Sequence, residues 1–583
     1  MKRKLIYFIA AFGLLFSSCE DAFDYQADGL VTYDEIFSDY TLTGKYYLTC
    51  YSYMPSFGKS GGGSTFLASY TDEAQTANDV VAGNSTLSYY EGDMTSSNNL
   101  LKSSLYNNMW AGIRSCNIFL ANIDDVPYFN VERYRGQWKA EVYLLRAYYY
   151  LQLIKRYGPM PIFTEPLDLD YDYSHMERPT FYENVQQILA DCDSALAQPE
   201  LYFRVVDGIQ DKEMTRGVAY AIRSQAMLFA ASPLWNDGND YWGEALEVTK
   251  EAMEKLEDAG FGLYNPANLS NEDLYNKYQE YFLTASEGVE YPSREIETIK
   301  GTSRMTLWNS YGIPVVADVT SAGMSPSQEL VDAYETIDGV PVLDPAKPYL
   351  DDEHLQPNYN PENTLYDPEN PYANRDPRLY STILCNNDYY DLDDKTILVE
   401  TFEGGNCGLS ETSNQYTRTG YYLRKWINYN SKDNYNVDGY WHDYRMAEIY
   451  LNFAEADFYA NGAVTSEALA AVNKIRERAG MPDIEAGISA SDFELKLRNE
   501  RRVELAFEEH RYYDLRRWEI QDEYEGIVTG MKITESDDDT YNYERFVVQE
   551  RQVTEEKYLM WPIPLTEENK YKALGIVFQN PGW

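Results

Sequence analysis

The chain has 583 residues and carries a formal net charge of −45 at pH 7. A protein with so large a negative charge repels the phosphates of nucleic acids, which argues strongly against a nucleic-acid-binding function. Hydrophobic residues make up 44% of the sequence, so the chain has enough apolar material for a large folded core and is not a disordered polymer.

The N-terminus has the pattern of a secretion signal. Basic residues at positions 2–4 precede an apolar run at 5–16, and two serines and Cys19 follow. The run is shorter than the roughly twenty residues that a helix needs to cross a bilayer. Its ending resembles the cleavage site of bacterial lipoproteins. We predict a signal peptide at 1–18, lipidation of Cys19 and a tether at 19–40, with an ordinary cleaved signal peptide as the alternative.

The other cysteines do not predict disulfide bonds. An odd number, five, is left when Cys19 is set aside, and no two of them form a C-x-x-C pair. We expect them to behave mostly as small, buried hydrophobic side chains. They are Cys50, Cys116, Cys192, Cys385 and Cys407.

Residues 137–161 predict the central helix of the fold. Apolar side chains at helical spacing form two adjacent stripes, one containing Trp138 and the other containing Tyr148. A helix that is apolar over so much of its circumference packs between other helices. Arg146 lies within this helix and needs a carboxylate or carbonyl partner. The sequence GPMP at 158–161 ends the helix, because proline cannot continue it.

Further helices are predicted from the spacing of apolar residues. They lie at 33–54, 99–124, 181–197, 215–231, 241–256, 442–460 and 466–479. Those at 215–256 and at 442–479 form two hairpins, each roughly the 34 residues of a tetratricopeptide repeat. Such pairs stack and bury a continuous core. We therefore predict an all-α fold in which tetratricopeptide-like helix pairs form a solenoid-like scaffold.

Residues 498–518 are predicted as one helix of alternating charge with a buried element at Leu505 and Phe507. Glu504 and Glu508 lie four residues apart in it. We expect them to form ion pairs within the helix and not to serve as the two carboxylates of a glycosidase. Their predicted partners are Arg501, Arg502 and Arg511.

Residues 265–440 differ from the rest of the chain. They are rich in Pro, Gly, Asn, Asp and Tyr, carry turn signals such as Asn360-Pro361, and show no long helical period. A region of this length is more than a linker, because binding residues collect in loops that a rigid scaffold holds. We predict that this large, irregular, loop-rich region carries the ligand site.

No motif of the sequence supports an enzyme. The GKS sequence at 58–60 lacks the first glycine and the preceding strand of a phosphate-binding loop. The four histidines are dispersed without zinc-binding spacing, and no G-x-S-x-G motif occurs. The acidic runs at 351–353 and 537–539 are interpreted as solvated charge, with a structural calcium ion as the alternative. We therefore predict no catalytic residue and no cofactor.

Several motifs, in order along the chain, resemble one family. RAYYYLQLIKRYGPMPI spans 146–162, DPRL spans 376–379, and RMAEIYLNFAEA spans 445–456. The chain closes with WPIP at 561–564 and QNPGW at 579–583. Together with the charged segment at 498–518, these motifs resemble the SusD/RagB family of Bacteroidetes outer-membrane lipoproteins. One departure is Glu509, where the family more often has glycine.

The resemblance implies a surface nutrient-binding protein. Members of the family combine an α-helical body, built from four tetratricopeptide-like helix pairs, with an irregular region that presents the ligand site. They are attached to the outer membrane by lipid and face the outside of the cell. They lie as a lid over a SusC-like TonB-dependent transporter and deliver oligosaccharides to it, and some members take peptides instead. The acidic residues after Cys19 resemble the surface-export tag of such lipoproteins.

The resulting domain prediction has three parts after the tether. Residues 41–264 form an N-terminal helical part, residues 265–440 form the loop-rich ligand-binding region, and residues 441–583 form a C-terminal helical part with a closing segment.

A receptor for sugars needs exposed aromatic rings beside hydrogen-bonding groups, because sugar rings have apolar C–H faces. The resemblance implies an aromatic ligand site drawn from two regions, one before the second helix and one in the middle loops. We sought aromatic residues outside the predicted helices of both regions, together with polar neighbours. The candidates are Tyr89, Tyr90, Arg304, Trp308, Asn309 and Tyr311, with Trp308 as the first choice.

We therefore predict a cell-surface glycan-binding lipoprotein. Two alternatives stay open. An oligopeptide receptor of the same architecture would bind peptides and not sugars. An extracellular glycan hydrolase would show turnover of its substrate.

Overall fold

The computed structural model describes residues 31–55, 66–97, 103–168, 170–203, 214–264, 282, 312–315, 320–392, 395–426, 442–536 and 540–583.

The α-helices of the described residues are α1 Tyr33–Ser38, α2 Tyr40–Tyr51, α3 Ser85–Tyr90, α4 Ser103–Asn122, α5 Arg133–Tyr157, α6 Phe181–Leu196, α7 Arg216–Ala231, α8 Trp242–Asp258, α9 Gln328–Ala333, α10 Pro377–Thr382, α11 Met446–Asn461, α12 Ser466–Arg478, α13 Ala490–Glu504, α14 His510–Arg517, α15 Gln521–Tyr524 and α16 Leu565–Ala573. The strands are β1 Ala74–Thr76, β2 Met324–Pro326, β3 Ile383–Leu384, β4 Asp388–Leu392, β5 Lys395–Val399, β6 Tyr422–Leu423, β7 Ile527–Glu535 and β8 Tyr541–Glu550. They pair antiparallel, β1 with β2, β3 with β6, β4 with β5 and β7 with β8.

The long helices stack one after another. Helix α5 packs against α4 and α6, α7 packs against α6 and α8, and α11 joins this row by packing against both α8 and α12. The helices α7 and α8 form one hairpin, and α11 and α12 form another. The structure confirms the all-α prediction with tetratricopeptide-like pairs. The first predicted helix, at 33–54, is divided into α1 and α2, because Asp39 is extended and its side chain caps α2.

Helix α5 is the central helix. It contacts α2, α4, α6 and α7. Tyr148 is buried, and Trp138, in the other predicted stripe, stacks on Tyr47 at 4.9 Å between ring centroids. Even the polar side chains Glu141 and Gln152 are buried. Every residue of the helix from 137 to 157 is buried or half-buried, as the width of its apolar surface predicts.

Arg146 has the buried partner that the sequence requires. Its Nη2 and Nε donate to the two carboxylate oxygens of Asp191 in α6, at 2.6 and 2.8 Å. Its Nη1 donates to Asn117 Oδ1 in α4 and to the carbonyl of Thr164, each at 2.8 Å. This guanidinium therefore links three segments around the central helix, and the prediction of a carboxylate or carbonyl partner is confirmed.

The sequence motifs at 146–162, 561–564 and 579–583 meet where α5 ends. Gly158 has φ 74°, and a Cβ at this position would lie 3.0 Å from Met560 Sδ, so glycine fits both the turn and the close approach. The N–H of Trp561 donates to the carbonyl of Arg156 at 2.8 Å. Asn580 Nδ2 donates to the carbonyls of Tyr157 at 2.9 Å and of Trp561 at 2.7 Å. The last segment of the chain thus closes over the end of the central helix.

The prediction of one helix at 498–518 is wrong. Helix α13 ends at Glu504 and α14 begins at His510, and a turn separates them. Phe507 and Glu509 in this turn have φ values of 65° and 63°. Such left-handed backbone conformations suit glycine, which accounts for the glycine that the family more often has at the position of Glu509.

The predicted pairing within this segment is also wrong, because the turn takes Glu508 off the helix that contains Glu504. Glu504 accepts from Arg445 Nη1 at 2.7 Å and from Arg378 Nη1 at 3.0 Å, and Arg478 donates to it as well. Glu508 accepts from Arg445 Nε at 2.6 Å and from Lys425 Nζ at 2.7 Å. The three expected partners, Arg501, Arg502 and Arg511, pair instead with Asp514 or Asp72.

The middle region is irregular where it is described. Within 312–315, 320–392 and 395–426, the helices α9 and α10 have 6 residues each and the longest strands have 5. Side-chain caps hold the turns together. The Oδ1 of Asn363, for example, accepts from the backbone N–H groups of Leu365 and Tyr366. The absence of a long helix is therefore confirmed for these residues.

The five cysteines after Cys19 are free and buried, as the sequence predicts. No helix within the described part of the chain is long and apolar enough to cross a membrane.

Candidate functional site

A short antiparallel pairing joins a segment that precedes the long helix α4 to the middle loops. Strand β1, which precedes the long helix α4, pairs with β2 of the middle loops so that Ala74 faces Pro326 and Thr76 faces Met324. The pairing continues beyond the strands, where the N–H of Ala77 donates to the carbonyl of Gly323 at 2.7 Å. We call the surface around this pairing the junction, defined by residues 75–81, 320–325 and 410–418.

Asn78 is the centre of the junction. It lies in a short 3₁₀ turn at Ala77–Val80, which the side chain of Thr76 caps. Its Oδ1 accepts from Ser321 Oγ at 3.0 Å and from Asn414 Nδ2 at 2.9 Å. The backbone holds the same segments together, since Ala322 N donates to the carbonyl of Asn414 at 2.8 Å. One amide oxygen therefore joins three parts of the chain that are distant in sequence.

Arg418 and Asp79 form an ion pair beside Asn78. The Arg418 Nε donates to Asp79 Oδ1 at 2.8 Å, and the Arg418 Nη1 donates to the carbonyl of Ser410 at 3.0 Å. The Gln75 Nε2 donates to the other oxygen of Asp79 at 2.8 Å. The side chain of Asp79 is 4% exposed and that of Arg418 is 15% exposed. Both carboxylate oxygens are thus occupied by donors, while the guanidinium reaches solvent.

Three polar groups of the junction remain available for a ligand. Asn78 Nδ2, Asn414 Oδ1 and Arg418 Nη2 make no hydrogen bond with the described residues, and their side chains are half-buried. They offer two kinds of donor and one acceptor from a surface that backbone pairing keeps in place. Such a fixed set of donors and acceptors can orient a hydroxyl-rich ligand. These residues are not among the candidates predicted from the sequence, although the turn-forming TAND sequence at 76–79 indicates a loop at Asn78.

The prediction that Tyr89 and Tyr90 are exposed binding rings is wrong. They lie in helix α3, and their side chains are 1% and 0% exposed. Tyr89 OH accepts from Arg516 Nη2 at 2.9 Å, and Tyr90 OH donates to the carbonyl of Ser69 at 2.7 Å. Burial raises the pKa of Tyr90 to about 12. Helix α3 has 6 residues, too few for its apolar face to be recognised from periodicity.

Tyr90 nevertheless stabilises the junction, because it contacts the strand β1 that leads into it. Its hydroxyl accepts a hydrogen bond from the N–H of Thr76 at 3.4 Å, and the guanidinium of Arg551 lies 4.3 Å from its ring centroid. Arg551 Nη2 in turn donates to Gln75 Oε1 at 2.8 Å. These contacts fix the strand that carries Asn78 and Asp79.

The other predicted site residues lie outside the described residues. They are Arg304, Trp308, Asn309, Tyr311 and the lipidation residue Cys19. Their roles stay predictions.

The acidic run at 351–353 has a structural use in its loop. Asp351 Oδ1 accepts from the N–H of Gln356 at 3.0 Å. Within the described part of the chain, no group of three or more His, Cys, Asp and Glu residues is arranged to hold a metal ion. The run at 537–539 lies outside the described residues.

Solved structures share this fold over nearly the whole chain. A SusD-like protein from Bacteroides fragilis has a TM-score of 0.75 at 23% identity, covering 94% of this chain and 98% of its own. A SusD-like carbohydrate-binding protein from the same species gives 0.70 at 19% identity, covering 92% and 98%. A laminarin-binding SusD-like protein gives 0.57 at 21% identity, covering 93% and 99%. At these identities the likeness establishes the fold.

A curated relative matches a short segment. SusD-like protein P25 of Formosa agariphila is 40% identical over 80 residues, which are 13% of this chain and 15% of that protein. The matched segment is therefore a small part of either protein.

Two family models match long segments of the chain. Residues 298–583 match the model described as the SusD family. Residues 50–226 match a model described as starch-binding and associating with the outer membrane. These matches include helices α4 to α6, the hairpin of α11 and α12, both sides of the junction and the closing segment over α5. The chain belongs to the SusD family.

Proposed function

We propose that the protein is a cell-surface glycan-binding lipoprotein that delivers oligosaccharides to a partner TonB-dependent transporter of the outer membrane. The observation that carries the proposal is the junction, where a paired backbone holds an amide, a guanidinium and a carboxylate at the meeting point of two loop regions. Family membership and the description of the second family model, starch-binding and associating with the outer membrane, support it.

The chemistry of the junction suits sugars. Each hydroxyl group of a sugar both donates and accepts, and Asn78, Asn414 and Arg418 together provide both functions. Because hydrogen bonds within the junction hold these side chains in place, little conformational entropy is lost when a ligand binds. An oligopeptide would also use amide and guanidinium groups, so peptide binding is the second outcome that the experiment below separates.

A glycan site also needs an aromatic ring. We propose that Trp308 stacks on a sugar face, with Tyr311 beside it and with Arg304 and Asn309 as further polar contacts. The motivation is the polar, turn-rich sequence RMTLWNSYG at 304–312 in the same middle region that provides one side of the junction. Exposed rings recognise the apolar face of a pyranose.

We propose no catalytic role for the site. Hydrolysis of a glycosidic bond uses two carboxyl groups, one as acid and one as nucleophile or base. Asp79, the acid at the centre of the junction, is held by Arg418 and by Gln75 through both of its oxygens. A carboxylate held in this way serves to orient its guanidinium partner.

Binding of soluble polysaccharides tests the proposal. Laminarin is the first probe, because one structural neighbour is a laminarin-binding protein, and starch, xylan and a set of oligopeptides complete the panel. We expect the purified protein to bind at least one glycan without releasing reducing sugar. Trp308→Ala should weaken this binding by about 1–3 kcal/mol, as the loss of a well-buried stacking ring does, and leave the melting temperature nearly unchanged.

Two further variants separate the junction from the rest of the surface. Asn414→Ala removes a half-buried amide of the junction and should weaken glycan binding by about 1 kcal/mol. Asn130→Ala, at an exposed position that is not part of the junction, should have no effect. Binding of peptides but not glycans would favour the receptor alternative, and release of sugars would favour a hydrolase. Unchanged affinity in both Trp308→Ala and Asn414→Ala would contradict the site assignment.

A further inference from the structure

A cavity on the helical body has walls that are mostly aromatic. It has a volume of about 480 Å³ and lies between α4, the loop at 163–176 and the last helix α16. None of its lining residues belongs to the junction. Its lining residues include four aromatic side chains, Tyr106, Trp110, Phe163 and Tyr173, and a fifth ring, Tyr571, comes from α16. Its volume lies in the range of about 300–1,000 Å³ that is typical of small-molecule sites. We call it the aromatic pocket.

The rings of the aromatic pocket are held in fixed positions. The hydroxyl groups of Tyr106 and Tyr571 lie 3.2 Å apart and share a hydrogen bond, and Tyr571 stacks on Phe578 at 4.2 Å. The ring of Trp110 lies 6.0 Å from that of Phe163. Because these contacts join three segments of the chain, the walls do not depend on a ligand for their shape. Tyr173 is 38% exposed, so one of the rings is open to solvent.

A cation without a protein partner lines the same pocket. Arg114 is exposed on α4 and makes no hydrogen bond or ion pair with the described residues. The second lysine or arginine of the lining, Lys570, is instead paired with Glu567 at 2.8 Å. The polar side chain of Asn107 also lines the cavity. An oxygen-rich ligand would satisfy Arg114, whereas a purely apolar occupant would leave its charge desolvated and unpaired.

We propose that the aromatic pocket is a second glycan-binding site, which takes one or two sugar rings of an oligosaccharide. Phe163, Trp110 and Tyr173 provide faces for the C–H surfaces of the sugar, and Arg114 and Asn107 bind its hydroxyl oxygens. This inference rests on the proposed function, since it assumes that the protein's ligands are glycans. Two sites on one molecule bind a long polymer more tightly than either site alone, because the second contact is intramolecular.

The stoichiometry of short oligosaccharides tests the second site. The probes are short oligosaccharides prepared from laminarin, starch and xylan, measured by calorimetry with the full-length protein. The wild type should bind two equivalents of the recognised sugar. The double variant Arg114→Ala/Tyr173→Ala should bind one, and its affinity for the parent polysaccharide should fall about tenfold or more. Tyr128→Ala removes a tyrosine that is 64% exposed outside the pocket, and it should keep two equivalents.

A filling variant provides a second measurement that removes no packing. Asn107→Trp introduces a bulky ring at an exposed position of the pocket lining and should also reduce the stoichiometry to one. Asn414→Ala, at the junction, should weaken one class of site and leave the other. A single equivalent in the wild type, or two equivalents in both pocket variants, would overturn the second site while leaving the proposed function intact. Failure of the wild type to bind any of the glycans would overturn both.

Discussion

At the scale of single residues, Asp72 and Glu73 show how two neighbouring acids take opposite protonation states. Burial raises the pKa of Asp72, but Arg502 and Arg511, at 2.6 and 2.9 Å, outweigh burial and hold the pKa below its ordinary value. Glu73 is buried, and among the described residues no cation forms an ion pair with it. Burial raises its pKa from 4.5 to about 8, although the N–H of Phe507 donates to its Oε1 at 3.1 Å. Glu73 is therefore largely protonated at neutral pH.

The stability of the protein should depend on pH through Glu73. A carboxyl group whose pKa is higher in the folded state stabilises the fold at low pH, and this contribution is lost as the pH rises from about 4.5 to about 8. Glu73→Gln keeps an uncharged hydrogen-bonding side chain and should remove this loss. Denaturant unfolding across this range should show the wild type losing on the order of a few kcal/mol relative to the variant.

The control for this measurement is Glu550→Gln, at an exposed glutamate of β8, which should leave the pH profile of the wild type unchanged. Parallel stability curves for the wild type and Glu73→Gln would show that Glu73 is not the source of the pH dependence.

At the scale of elements, buried ion pairs connect helices that the chain order separates. Glu504 ends α13 and is fully buried. Its carboxylate forms ion pairs with three arginines. They are Arg378 in α10, Arg445 directly before α11, and Arg478 at the end of α12. Burial raises the pKa of Glu504, but these guanidinium groups outweigh burial and hold the pKa well below its ordinary value. One carboxylate thus joins the middle region to the C-terminal helix pair.

Glu504→Gln should destabilise the protein by about 3–5 kcal/mol, because buried guanidinium groups would lose their counter-charge. Glu467→Gln provides the matched control. Glu467 is 61% exposed and pairs with Lys250 at 3.2 Å, so its loss should cost less than about 1 kcal/mol. Guanidinium chloride unfolding measures both variants. Equal midpoints for the two would mean that the cluster around Glu504 does not hold these helices together.

At the scale of the whole molecule, we propose that a lipid on the N-terminal segment attaches the protein to the membrane. We expect Cys19 to carry the lipid, because small residues precede it and acidic residues follow it. Metabolic labelling with a fatty-acid probe should mark the wild type and Cys407→Ala but not Cys19→Ala. Equal labelling of Cys19→Ala and the wild type would refute lipidation at this residue.

We expect the outer surface of the stacked helix pairs to bind a partner protein. Repeats of this kind leave broad outer surfaces, and family resemblance implies a TonB-dependent transporter as the occupant. Affinity purification from gently solubilised outer membranes should recover a large β-barrel protein together with this chain. As the control, affinity purification of an unrelated lipid-anchored protein from the same membrane should not recover the β-barrel protein. Repeated recovery of the chain alone, in several mild detergents, would count against the partnership.

The helical body was predictable from the sequence because its signals are local. The apolar stripes around Tyr148 repeat at helical spacing, and the glycine and prolines after Tyr157 mark the end of the central helix. The hairpins at 215–256 and 442–479 follow from the same periodicity. The need of Arg146 for a buried partner also followed from the sequence, although the identity of Asp191 did not.

The candidate site and the charged segment were decided by tertiary structure. Glu504 and Glu508 were expected to pair along one helix, but a turn with left-handed backbone divides the segment. Their partners come from residues 26 to 126 positions away in the chain. Asn78 binds Asn414 across 336 positions, and Tyr89 and Tyr90 are buried by contacts with remote residues. Helix periodicity depends on neighbours three or four residues apart, whereas these contacts depend on how distant segments pack, and a single sequence does not state that packing.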